Sequence, residues 1–124
     1  MDVLLVISDP EEATGLSHLL QEADCTAHTV GSPAELKKRI SEKAVMAIMI
    51  DLDSVAIDNR SIREIASAFP TIPLLCLSKE RFHPELKDSI LDHIYACLTK
   101  PIDLDELRYW LKCIRKDEFD LTLG

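Results

Sequence analysis

Glycine is almost missing from this sequence. Gly15, Gly31 and Gly124 are the only three in 124 residues. No glycine-rich loop can therefore wrap a phosphate, and nucleotide binding of that kind is excluded. Long apolar runs are missing too, and none approaches the roughly 20 residues of a membrane span. The opening stretch, MDVLLVISDP, lacks the basic segment of a signal peptide and has an acid after the initiator methionine. Cationic side chains are the minority, 14 against 22 Asp and Glu, giving a formal net charge of −8. That balance counts against binding a nucleic-acid backbone, which needs Lys and Arg gathered on one face. The four cysteines, Cys25, Cys76, Cys97 and Cys113, form no C-x-x-C pair and have no histidine at zinc-site spacing. They are expected to be reduced, mostly buried thiols in a cytoplasmic protein. His18, His28, His83 and His93 are scattered and show no metal spacing. There is no internal repeat, no low-complexity tract, and no linker before the last ten residues.

The length suits one domain with one core. Five short apolar runs stand out, at 3–7, 25–30, 45–50, 74–77 and 94–98. The first, third and fourth are nearly continuous in Val, Ile, Leu and Met, the pattern of strands buried on both faces. The second alternates more, as a strand nearer an edge does. Helical patterns fall between and after them, at 11–22, 33–41, 62–69, 84–92 and 103–115. Ser32, Pro33 and Glu35 read as N-cap, first helical residue and capping box. Ser61 and Glu64 give a second cap signal, and Pro70 stops that helix. In the last helix Leu104, Leu107, Leu111 and Ile114 share a face, with Asp103 and Glu106 at its positive end. Five β-α units in strict alternation predict a three-layer α/β sandwich around a parallel sheet. At this length the flavodoxin-like strand order 2-1-3-4-5 is favoured, with chemistry at the carboxyl ends of the strands.

Those ends carry a specific set of residues. Ser8-Asp9 follow strand 1, Asp51-Leu52-Asp53 strand 3, Ser78 strand 4, and Lys100-Pro101 strand 5. In this strand order Asp9 and Asp51 face one crevice. Two close carboxylates repel unless a cation sits with them. Oxygen ligands beside open solvent suit Mg²⁺, which keeps several waters and favours a phosphate partner. Lys100 and Ser78 add a positive charge and a hydroxyl. An Asp nucleophile with groups that stabilise transferring oxygens is equipped to accept a phosphoryl group. Singly, each residue has a plainer reading, as a turn residue, helix cap or solvated lysine. The set on one edge is more specific than its members.

With these residues in view, the sequence resembles the receiver domain of two-component response regulators, the CheY-like phospho-acceptor module of bacterial phosphorelays. The resemblance covers residues 3 to about 116 and is carried by MAIMIDLD (46–53), LLCLS (74–78) and YACLTKPID (95–103). It implies that Asp51 is the phosphorylation site, and that Mg²⁺ is held by Asp9, Asp51 and the backbone carbonyl of Asp53. It also implies that Ser78 and Lys100 contact the phosphoryl group. The implied donor is a sensor histidine kinase or phosphotransfer protein. The domain would signal rather than act as an enzyme, beyond assisting its own phosphotransfer and dephosphorylation. Its output surface would be the fourth helix, fifth strand and fifth helix, where the family often forms homodimers.

Several positions depart from the family pattern. Ser8 replaces the first of two acids after strand 1, Val55 a common proline, and Asn59 a loop glycine. Lys79 stands where a small residue is usual. Asp53 and Glu80 occupy positions that tune phosphoryl lifetime. Cys97 occupies the place of the strand-5 aromatic, with Tyr95 two residues earlier on the same face. These departures keep a second expectation open, a degenerate receiver acting as a phosphorylation-independent interaction module. A flavin-binding protein on the same fold is disfavoured, because Asp9-Pro10-Glu11-Glu12 is acidic where a phosphate loop would lie. The expected receiver spans 1–116, with 117–124 a tail or the start of a linker to an output domain.

Overall fold

The computed structural model describes residues 1–42, 44–80 and 93–123. Among them, strands and helices alternate in the order β1 (Asp2–Val6), α1 (Pro10–Glu22), β2 (Thr26–Val30), α2 (Leu36–Glu42), β3 (Ala47–Asp51), α3 (Asn59–Ala68), β4 (Leu74–Ser78), β5 (Ala96–Thr99) and α4 (Leu104–Leu123). The helix expected over 84–92 lies outside the described residues. The five strands form one parallel sheet in the order β2-β1-β3-β4-β5. This is the flavodoxin-like arrangement that the alternating pattern predicts.

The continuous apolar runs become the central strands because both faces of the sheet are covered. Successive side chains point to opposite faces. Val3, Leu5, Met49, Leu75, Leu77 and Leu98 therefore join Leu16 and Leu20 of α1 and Leu107, Leu111 and Ile114 of α4 in one core. Leu4, Val6, Ile48, Ile50 and Leu74 pack with Leu36 of α2 and Ile62 and Ile65 of α3 in the other. Each fully buried Leu or Ile contributes about 1.5–3 kcal/mol relative to exposure.

Element ends differ from the sequence reading where capping decides them. α3 starts at Asn59 because the Asp58 carboxylate accepts the Ser61 N–H at 2.8 Å, taking the cap role expected of Ser61. Ser32 makes no side-chain cap bond, and the helix expected over 33–41 splits into a 3₁₀ turn, Pro33–Glu35, followed by α2. α4 continues to Leu123 instead of ending near 115, since residues 116–123 hold no Pro or Gly to stop it. β5 begins at Ala96, the first residue in register with β4.

The end of α1 shows the cost of having so little glycine. Asp24 sits at φ 63°, a left-handed conformation that glycine normally takes. Cys25 N–H donates to Leu20 O at 2.8 Å and Asp24 N–H to Gln21 O at 3.0 Å, closing the helix end. Arg108 of α4 donates to Glu22 O at 3.0 Å, satisfying another carbonyl there. Of the cysteines, Cys25 and Cys76 are buried and Cys113 is half-buried, but Cys97 is exposed, alternating along β5 with the buried Ala96 and Leu98. Among the described residues, no helix is long and apolar enough to cross a membrane.

Candidate functional site

The strand order brings the carboxyl ends of β1, β3, β4 and β5 to one edge of the sheet. Asp51 is the last residue of β3 and is 0 % exposed. Leu77 is its register partner, so the buried Ser78 lies one residue beyond on the neighbouring strand. Ser78 in turn pairs with Thr99, and the Lys100 N–H donates to Ser78 O at 2.8 Å. Main-chain pairing alone thus places Asp51, Ser78 and Lys100 side by side.

Lys100 is the electrostatic centre. Its Nζ lies 2.6 Å from Asp51 Oδ1, 3.0 Å from Asp53 Oδ2 and 3.0 Å from both carboxylate oxygens of Glu12. One ammonium thus serves three carboxylates. Burial alone would lower the Lys100 pKa, but hydrogen bonds to Asp51, Glu12 and Asp53 outweigh it and raise it above the ordinary 10.5. Burial likewise works against ionisation of Asp53. Hydrogen bonds from the Lys100 ammonium and the Lys79 N–H overcome it and hold that carboxyl below its usual range.

The other carboxylate oxygen of Asp51 is closed by one hydroxyl. Ser54 Oγ–H donates to Asp51 Oδ2 at 2.6 Å, and Asp53 N–H donates to Oδ1 at 3.3 Å. Ser54 is tied to the end of β1: Ser8 N–H donates to its Oγ at 3.1 Å, and the Ser8 hydroxyl donates to its main-chain oxygen. Ser8, the position lacking the family's usual acid, has become a clasp between the loops after β1 and β3.

Asp9 caps α1. Its Oδ1 accepts the Glu11 N–H at 3.0 Å and the Glu12 N–H at 3.4 Å. Both bonds fall on one oxygen, which leaves Oδ2 outside the cap. Among the described residues, no three His, Cys, Asp or Glu side chains gather to hold a metal. The ligands that the resemblance implies, Asp9, Asp51 and the Asp53 carbonyl, follow or end β1 and β3 and would supply only oxygens. Such a sparse, all-oxygen set suits a largely hydrated Mg²⁺ and no softer ion.

The remaining expected residues divide into those at the site and those away from it. Ser78 Oγ–H points to Asp53 Oδ1 at 3.5 Å and accepts the Glu80 N–H at 3.0 Å. Lys79 N–H donates to Asp53 Oδ2 at 2.9 Å. Lys79 also lines, with Glu12, Leu16 and Lys100, a cleft of about 480 Å³ beside the site. Tyr95 lies elsewhere, edge-on to Trp110 at 5.9 Å, and Trp110 meets Tyr109 edge-on at 5.1 Å. Cys97 faces Cys76 across β4 and β5 and does not meet the carboxylate cluster. Two contributors escaped the sequence reading. Glu12 follows the Asp9 cap by three residues, one helical turn that carries it back over the strand ends. Ser54 stands three residues after Asp51, a spacing that lets a loop hydroxyl return to the strand it leaves.

The strand order, the acid ending β3, the hydroxyl ending β4 and the Lys-Pro after β5 define a CheY-like receiver domain of the response-regulator class. The chain belongs to the family described as flagellar regulatory protein FleQ, whose model matches residues 2–112. Solved receiver structures share its fold. The signal receiver domain of an HD domain-containing protein from Pseudomonas fluorescens superposes with a TM-score of 0.81 at 20 % identity, covering 96 % of this chain and 97 % of that one. A two-component response regulator from Clostridium difficile gives 0.79 at 15 %, covering 94 % and 96 %. The chemotaxis response regulator CheY4 of Vibrio cholerae gives 0.73 at 19 %, covering 91 % and 97 %. No curated protein sequence matches the chain.

Proposed function

We propose that this domain is a cytoplasmic phosphorylation switch in which Asp51 accepts a phosphoryl group from the phosphohistidine of a sensor histidine kinase or phosphotransfer protein. The observation that carries the proposal is the 2.6 Å pairing of a buried Asp51 with Lys100, beside the Ser78 hydroxyl. A carboxylate oxygen of Asp51 attacks phosphorus, the P–N bond breaks, and the donor imidazole leaves with the electron pair and takes up a proton. Asp9, Asp51 and the Asp53 carbonyl would hold Mg²⁺, which when bound supplies charge opposite the transferring oxygens. Lys100 and Ser78 would bind those oxygens from the other side. Asp51 must first release a bond, and the Ser54 hydroxyl, on the oxygen that Lys100 does not touch, can leave without breaking the ion pair. That step costs about 1.5–3 kcal/mol, the value of a hydrogen bond to a charged group. The added charge would then shift the packing of β5 and α4, where the 59 % exposed Tyr109 offers a surface for a second copy of the domain.

The clasp of Ser8 and Ser54 over Asp51 favours a second reading, a receiver that stays closed and works only through protein contacts. Acetyl phosphate with Mg²⁺, followed by intact mass, separates the two. The switch predicts a gain of one phosphoryl group that is lost in Asp51→Asn and faster in Ser54→Ala. If neither the native protein nor Ser54→Ala gains mass, the contact module stands and the switch is rejected.

A further inference from the structure

Cys76 and Cys97 are separated by 20 residues in the sequence, a spacing no short motif would flag, yet the sheet makes them register partners on β4 and β5. Leu75 and Leu77 belong to one core cluster, and so do Ala96 and Leu98. Cys76 and Cys97 alternate with them and so project together from the opposite face of the sheet. Directly paired neighbours on adjacent strands lie about 4.8 Å apart. A disulfide accepts Cα separations of about 4.4–6.8 Å, a range that includes this spacing. One thiol is buried and the other open to solvent, which are the places of a resolving and an attacking thiol. Nothing in the carboxylate site uses either sulfur.

We infer that Cys76 and Cys97 are a redox-active dithiol, a modification site at which hydrogen peroxide drives formation of a reversible cross-strand disulfide. Cys97 thiolate attacks the peroxide oxygen, the O–O bond breaks, and hydroxide leaves and is protonated to water. The resulting sulfenic acid is attacked by the Cys76 sulfur. The S–O bond breaks, a second water leaves, and the S–S bond forms. Two thiols are oxidised and one peroxide is reduced to two waters. The bond would tie the edge strand to its neighbour close beneath Ser78 and Lys100. The proposal does not depend on phosphorylation.

The electrostatics agree with this division of labour. The hydrogen bond from Cys76 brings the Cys97 thiol down to about 7 against partial burial, while the same bond and burial raise Cys76. The lowered pKa leaves more of Cys97 as thiolate at pH 7 than the few per cent of an ordinary thiol near 8.5. Its lower intrinsic nucleophilicity offsets part of that gain, so its alkylation should run about three-fold faster than that of an ordinary exposed thiol.

The test is hydrogen peroxide at pH 7, then denaturing alkylation with iodoacetamide, intact mass and peptide mapping. The native protein should lose two of its four alkylatable thiols, map to a Cys76–Cys97 link, and recover with dithiothreitol. Cys97→Ser, a change on an exposed edge, should keep its three remaining thiols alkylatable. Cys76→Ser should stop at a sulfenic acid that dimedone traps at Cys97. Circular dichroism verifies that both variants are folded. Four alkylated thiols after peroxide, or a link that persists in Cys97→Ser, overturns the inference.

Discussion

Replacing Lys100 with Met removes the ammonium and keeps the stem. Asp51, 0 % exposed, then loses a partner at 2.6 Å and retains only Ser54 and the Asp53 N–H. Breaking a buried ion pair from one side costs about 3–5 kcal/mol, because the remaining charge is left uncompensated. The losses at Asp53 and Glu12 are smaller, since these side chains are 20 % and 32 % exposed and water screens them. The total should therefore sit near the low end, about 3 kcal/mol. With an unfolding entropy of about 2.1 cal/mol/K per residue over 124 residues, the midpoint should fall by about 11 °C. Urea unfolding and calorimetry at pH 7 on the native protein, Lys100→Met, Asp51→Asn and the double variant measure this directly. The double variant should recover most of the loss, because the uncompensated charge is gone. A Lys100→Met protein within about 0.5 kcal/mol of native, the usual range for surface changes, would refute the reasoning. So would a double variant no more stable than Lys100→Met.

Two further outcomes follow from the same geometry. The Lys100 pKa is raised, so its contribution is complete below 10.5 and is lost as pH climbs past that value. The Asp53 pKa is lowered, so its contribution is present above 3.8 and is lost as pH falls below it. Melting temperature against pH should therefore drop at both extremes, with the alkaline fall flattened in Lys100→Met and the acid fall flattened in Asp53→Asn. Asp24→Gly should relieve the left-handed backbone at φ 63°. A net gain of about 0.5–1 kcal/mol in urea unfolding is expected, after glycine's greater freedom in the unfolded chain is counted.

The sequence was most informative where burial is complete. Strands buried on both faces can hold little but Val, Ile, Leu and Met, so β1, β3 and β4 are readable without a structure, and strict alternation with helices then leaves few strand orders. The convergence of Asp51, Ser78 and Lys100 follows from that order, because each ends or follows a strand of one parallel sheet. Local competition was harder to read. Asp58 and Ser61 both suit a cap, and only geometry selects Asp58. Asp9 was legible both as an acid at the right edge and, in its plainer reading, as a helix cap, and it caps α1. Glu12 and Ser54 left almost no signal, since an acid in a helix's first turn and a serine in a loop are commonplace. The Cys76–Cys97 pairing was invisible, because it is a matter of register across a crossover rather than of spacing.

The three-carboxylate embrace of Lys100 also has a consequence in time. On the ribosome the chain emerges from its N-terminus, so the end of β3 with Asp51 is made about 50 residues before the only ammonium that reaches that carboxylate among the described residues. At about 5–20 residues per second, that is an interval of roughly 3–10 seconds. Throughout it, the end of β3 holds an acid whose burial would go uncompensated. β4 and β5 must arrive before Asp51 can be enclosed with its charge balanced. The last strand of the sheet therefore also completes the site, and a nascent chain lacking it would keep that edge open to water.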